Sequence, residues 1–147
     1  MKWYLSQLGR REHYSLAVAL HRRRRLAALC TDIWAPWAAA LPGPVRPTKW
    51  AQRYRAELAD APVFAEPWSN VLRARWDRRG LFDRWVAQGE RFGRFAAEVY
   101  RRRGLGADAT ALGYTCANLE QFRLARQVGA RTIHVQVDPG PAWYATR

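Results

Sequence analysis

Cysteine, lysine, histidine and the acids are all scarce in this chain. Of its 147 residues only Cys30 and Cys116 are cysteines, far apart and in no CxxC pair. They read as two small buried hydrophobes in a reducing compartment. The three scattered histidines, His13, His21 and His134, do not join them into the cluster of about four ligands that a zinc site needs. No metal and no resident cofactor are therefore expected. Apolar runs are short and broken by Arg, below the roughly 20 residues that span a bilayer. No apolar h-region follows Lys2, so a cleavable signal is not read. A cytoplasmic location is the expectation. Also missing are a GxGxxG or GxxxxGK[ST] phosphate loop and any nucleophile-elbow context around Ser6, Ser15 or Ser69. There is no zinc-finger spacing, RRM signature, convincing helix-turn-helix or internal repeat.

What is abundant is arginine and apolar surface. The hydrophobic fraction is 49% with eight Trp, enough for the core of one domain. Lys and Arg total 25 against 12 acids, a net charge of +13, and only Lys2 and Lys49 are lysine. That charge suits nucleic-acid phosphates or an anionic membrane face. Its distribution favours neither outright. The runs Arg22–Arg25 and Arg101–Arg103 fall where helices are expected to end, and cations there complement the helix dipole. A nucleic-acid partner is the less favoured reading.

The order of elements is more telling. Trp3–Ser6 reads as a short strand, followed by a loop at Gly9 and a helix from Glu12 to Arg25. Leu26–Thr31 is a compact apolar run, read as a buried strand. Residues 33–48 carry five Pro or Gly breakers, with Trp34 and Trp37 pinning the stretch to the body. A short helix is expected over 50–58, a short strand at 63–65 and a helix over 70–76. Leu81–Arg103 is the clearest helix. Phe82, Trp85, Val86, Phe92, Phe95, Ala96, Val99 and Tyr100 form one stripe, read as packed on a sheet. A strand at 109–114, a helix at 117–128 stopped by Gly129, and a strand at 132–137 close the chain. Alternating β and α elements predict an α/β, Rossmann-like open parallel sheet with helices on both faces.

In such a sheet ligands bind beyond the carboxyl ends of the strands. The loops starting at Ser6, Thr31, Thr115 and Asp138 are therefore the candidates. Gly9 allows close backbone approach, and a helix starting near Arg11, Glu12 and His13 points its free N–H groups at the same space. Arg10 or Arg11 can pair with a phosphate. His13 is either a base or hydroxyl ligand, or an ordinary helix-start histidine. Asp138 either accepts ligand hydroxyls or fixes its own turn by an Asx bond. Asp32 is a similar case. Tyr114 and Thr115 end a strand and can line the cleft.

Three segments, WYLSQLGRREHYSLAVALHRR, LAALCTDIWAPW and GYTCANLEQFRLARQVGARTIHVQVDPGP, taken in this order, resemble the N-terminal half of a bacterial retaining glycosyltransferase of family 4. That family has the GT-B fold of two Rossmann domains. The resemblance implies transfer of a sugar from a nucleotide-sugar to a glycan or lipid-linked acceptor at the inner membrane face. It implies that this half shapes the acceptor side, with Gly9 to His13 beside the donor phosphates and acceptor. The nucleotide-sugar is a co-substrate, and its donor domain with a Glu-x7-Glu pair would follow Asp138. Glu90 and Glu98 share that spacing but sit in the wrong half. The 147 residues are thus expected to be a single acceptor-side domain without its donor domain and inactive alone: a fragment of a longer protein, a split subunit completed by a donor-domain partner chain, or a degenerate relative. The alternative is a basic nucleic-acid- or anionic-surface-binding module without catalysis.

Overall fold

A computed structural model describes residues 1–9, 11–42, 47–67, 78, 80–114 and 117–136. Five strands, β1 (Trp3–Gln7), β2 (Leu26–Thr31), β3 (Val63–Ala65), β4 (Thr110–Tyr114) and β5 (Arg131–Val135), form one sheet in the order β3-β2-β1-β4-β5. Every pairing is parallel, with Leu5 opposite both Leu29 and Leu112. The helices are α1 (Ser15–Arg22), α2 (Pro36–Ala40), α3 (Thr48–Ala51), α4 (Leu81–Arg102) and α5 (Leu119–Gln127). A 3₁₀ turn covers Ala56–Leu58.

Period-two alternation sends the two sides of β1 into two cores. Tyr4 packs with Ala28, Phe92, Ala96, Tyr100 and Ala125, under α4 and α5. Leu5 packs with Tyr14, Ala17, Val18, Leu29 and Leu58 on the opposite face, under α1. β2 is buried along its whole length, as a central strand covered on both faces must be. The Tyr4 and Tyr100 rings meet edge-on at 5.1 Å, a geometry adding about 0.5–1.5 kcal/mol to their burial. The fold is α/β and Rossmann-like, as the alternation predicted.

Several boundaries differ, each for a local reason. α1 begins at Ser15 rather than Glu12, because Glu12, His13 and Tyr14 have φ of 49°, 48° and 63° and cannot continue a right-handed helix. It ends at Arg22, because Arg24 turns left-handed (φ 54°) and Arg25 N–H bonds back to Leu20 O at 2.9 Å. α4 and α5 close the same way, through Gly104 and Gly129 in the left-handed position. The stretch 33–48 is not wholly irregular: Pro36 starts α2 at a position where its missing N–H costs nothing. The helix expected over 50–58 divides into α3 and the 3₁₀ turn. The helix expected over 70–76 lies outside the described residues.

The aromatic stripe is packed on the sheet along only its C-terminal two-thirds. Phe92, Ala96, Val99 and Tyr100 are buried, while Phe82, Trp85 and Val86 are exposed. Length explains this. A helix of 22 residues runs about 33 Å, and a strand of five residues only about 17 Å. The surplus overhangs the sheet. No described helix is long and apolar enough to cross a membrane.

Candidate functional site at the sheet switch point

The strand order reverses between β1 and β4, the topological switch point outside whose strand ends open α/β sheets bind ligands. The loop after β1 is built around a tight turn, Arg11–Tyr14, in which Glu12, His13 and Tyr14 are all left-handed. For non-glycine residues that backbone costs roughly 1–2 kcal/mol each, so the surroundings must hold it. Ser15 Oγ donates to Glu12 O at 2.6 Å. The Tyr14 ring is buried, edge-on to Trp34 at 5.6 Å, and Trp34 meets Tyr54 in turn. Tyr14 also closes a polar chain below. Its O–H donates to Thr31 Oγ1 (3.3 Å), which donates to Asp32 Oδ1 (3.2 Å). Burial is the largest influence on the Tyr14 phenol and raises its pKa.

Asp32 ties three segments together. Its Oδ1 accepts from Gly9 N–H (3.0 Å) and Arg53 Nη1 (3.1 Å) as well as from Thr31. Gly9 has φ +80°, a conformation a side chain would strain. Gln7 Nε2 donates to Gly9 O at 3.2 Å. Asp32 is thus the clamp that fixes the loop after β1. This geometry gives it a positioning role for Gly9 and Arg53.

The loop reaches the end of β4 through Glu12. Tyr114, at the end of β4, donates its phenolic O–H to Glu12 Oε2 at 3.1 Å. Burial first, then the adjacent Glu12 carboxylate, push the Tyr114 phenol up to about 12, so it is a neutral donor across the physiological range. Glu12 itself is exposed, as is His13 beside it. A carboxylate and an imidazole therefore face solvent on one strained turn, able to accept or exchange protons with ligand hydroxyls.

Beneath the β4 end lies a second polar chain. Asn118 Nδ2 donates to Tyr114 O (2.7 Å) and to His134 Nδ1 (2.9 Å), which leaves the proton of a neutral His134 on Nε2. Gln121 Nε2 faces Ser6 Oγ (3.0 Å), Asn118 Oδ1 (3.2 Å) and the carbonyl of Ala117. A Cβ at position 113 would run into the Asn118 side-chain amide, so any larger residue there must displace Asn118 from this chain. A groove of about 390 Å³ beside this chain is lined by Val86, Gly89, Glu90, Asn118, Leu119 and His134.

The strand ends at the switch point thus gather Gly9, Glu12, His13, Asp32 and Tyr114. Arg10, Thr115 and Asp138 lie outside the described residues, and of Arg11 only the backbone is described. The expected α1 N-terminus at residues 11–13 is replaced by the left-handed turn, so its N–H groups do not supply the anion site read from the sequence. Arg53, Tyr14, Asn118 and Gln121 were missed. Asn118-x-x-Gln121 has capping-box spacing, a usable signal, although here the two side chains bond each other. Arg53 carries no local signal. Among the described residues no group of three or more His, Cys, Asp or Glu is placed to hold a metal ion.

Comparison with protein-family models, with curated proteins and with solved structures finds no match to this chain.

Proposed function

We propose that this domain binds the acceptor in a two-domain glycosyltransferase, and that a second Rossmann-like domain brings the nucleotide-sugar. The observation that carries the reading is the carboxylate of Glu12, braced by Tyr114 across the β1–β4 switch point on a left-handed turn. Glycan recognition needs acceptors for hydroxyl protons on a rigid rim, and Glu12 and His13 provide them. In the transfer, the acceptor oxygen bonds the anomeric carbon. The bond from that carbon to the nucleoside diphosphate oxygen breaks, and the diphosphate leaves. The hydroxyl proton passes to a base, for which His13 is the candidate. Alone, the domain binds acceptor and transfers nothing.

Amide chemical-shift mapping with a panel of oligosaccharides and lipid-linked sugars tests this. Shifts are expected at Gly9, Glu12, His13 and Tyr114, and Glu12→Gln should weaken binding about tenfold, the worth of one charge-assisted hydrogen bond. If no member of the panel moves those amides, the reading fails.

A further inference from the structure

We infer that the outer seam between α4 and α5 holds an anion site for a small organic phosphate, separate from the rim that carries Glu12. Arg94, Ala97 and Arg101 of α4, and Glu120, Arg123 and Leu124 of α5, recur at three- and four-residue spacings. Each set therefore shares one helical face. Together they line a groove of about 370 Å³, toward the lower end of the range for small-molecule sites. Gly93 permits the close approach of the two helices, since a Cβ there would meet the Glu120 and Gln121 side chains. Ala97 carries only a methyl group, which leaves the floor between Arg94 and Arg101 open.

Charge chooses the ligand. Three guanidiniums line the groove with one carboxylate, that of Glu120. Neither Arg123 nor Glu120 has an ion pair among the described residues. Arg94 reaches Glu90 only at 3.8 Å, beyond hydrogen-bond distance. Arg101 Nη1 donates to Glu98 Oε2, but that carboxylate also accepts from Arg102 Nε at 2.7 Å. A guanidinium has five N–H donors, so Arg101 keeps several for a ligand. By contrast, Arg53, Arg55 and Arg91 each face a carboxylate of their own. The planar guanidinium fork matches phosphate oxygens two at a time, and Leu124 and Ala97 offer apolar surface to the body of an ester. The volume suits one small ligand, whereas a nucleic-acid strand needs a charged track several nucleotides long. α4 ends beside the start of β1, where Tyr4 Oη donates to Arg103 O at 2.8 Å. Arg101 thus stands toward the amino ends of the strands, away from Glu12 and His13. The inference therefore holds whether or not the domain takes part in sugar transfer.

Isothermal titration of the full chain with inorganic phosphate, pyrophosphate and phenyl phosphate tests it, for wild type, Arg101→Gln/Arg123→Gln and Glu120→Gln. Arg101 and Arg123 are exposed and Glu120 is half-buried, so the variants should keep the wild-type fold, checked by melting temperature. The result expected is phenyl phosphate bound at one site, more tightly than inorganic phosphate. The double substitution should weaken it at least about tenfold. Glu120→Gln removes a repelling charge and should strengthen it severalfold. A general loss of structure cannot produce both signs. Absence of saturable binding of all three probes at millimolar concentration overturns the inference. So does binding that the double substitution leaves unchanged or that Glu120→Gln weakens. Phenyl phosphate binding no tighter than inorganic phosphate overturns the ester assignment. Displacement of phenyl phosphate by a poly(U) oligonucleotide, with a steep salt dependence, would assign the arginines to a polyanion track and overturn it as well.

Discussion

At the scale of single residues, left-handed backbone marks both the candidate site and a helix end. Gly129 was legible as a helix stop because glycine adopts that conformation freely. Arg24 does the same task with a side chain, and nothing in a run of four arginines reveals which one turns. Glu12, His13 and Tyr14 were equally opaque: their local pattern reads as a helix start, and only the burial of Tyr14 against Trp34 overrides it. The Tyr114–Glu12 contact yields a pH prediction. The folded chain holds the Tyr114 proton up to about 12, whereas an unfolded tyrosine loses it near 10. Between those values the native state binds more protons than the unfolded one, so this contribution to stability is complete below about pH 10 and is lost as pH rises toward 12. Tyr114→Phe is expected to cost about 1 kcal/mol at neutral pH and to flatten the alkaline fall. Urea melts of both proteins from pH 8 to 12 check it. An unchanged pH slope would mean that folding does not hold the Tyr114 proton above its ordinary range.

Among elements, α4 is decisive. Its periodicity was readable from residue 81 to 102, but not how much of the stripe the sheet covers, because strand length is set by pairing partners that lie far away in sequence. One tie anchors its middle. Arg91 Nε donates to Glu66 Oε1 at 2.8 Å, and the Glu66 side chain is only 2% exposed. Glu66 follows β3, and its N–H bonds Thr31 O at 3.0 Å. Removing the arginine takes a charged hydrogen-bond partner from a buried carboxylate, so Arg91→Ala is expected to destabilise by about 1.5–3 kcal/mol. Replacing Arg94, whose contact with Glu90 is exposed, is expected to cost under about 1 kcal/mol. Chemical denaturation of the two variants gives the comparison. Neither Arg91 nor Glu66 was distinguishable from the other charged residues in sequence, since burial separates them and burial is a tertiary property.

For the whole molecule, excess positive charge acts on stability itself. With 25 basic residues against 12 acids, self-repulsion disfavours the compact state. Raising sodium chloride from 10 to 150 mM shortens the screening length from about 30 to 8 Å. The melting temperature is expected to rise across that range, measured by scanning calorimetry. A fall would assign the larger share to favourable pairs such as those of Glu98 with Arg101 and Arg102. The alternation of apolar runs and amphipathic stretches was enough by itself to determine an α/β chain with a parallel sheet, because strand and helix periods are local properties of a few residues. It also placed Gly9, Asp32 and Tyr114 at strand ends. Tertiary structure alone decided that the strands order as β3-β2-β1-β4-β5, that Asp32 clamps Gly9 and Arg53, that Tyr114 reaches Glu12, and that the first third of α4 stands free of the sheet. Each of those depends on which distant segments pack together, and packing is a sum over the whole chain that no short window contains.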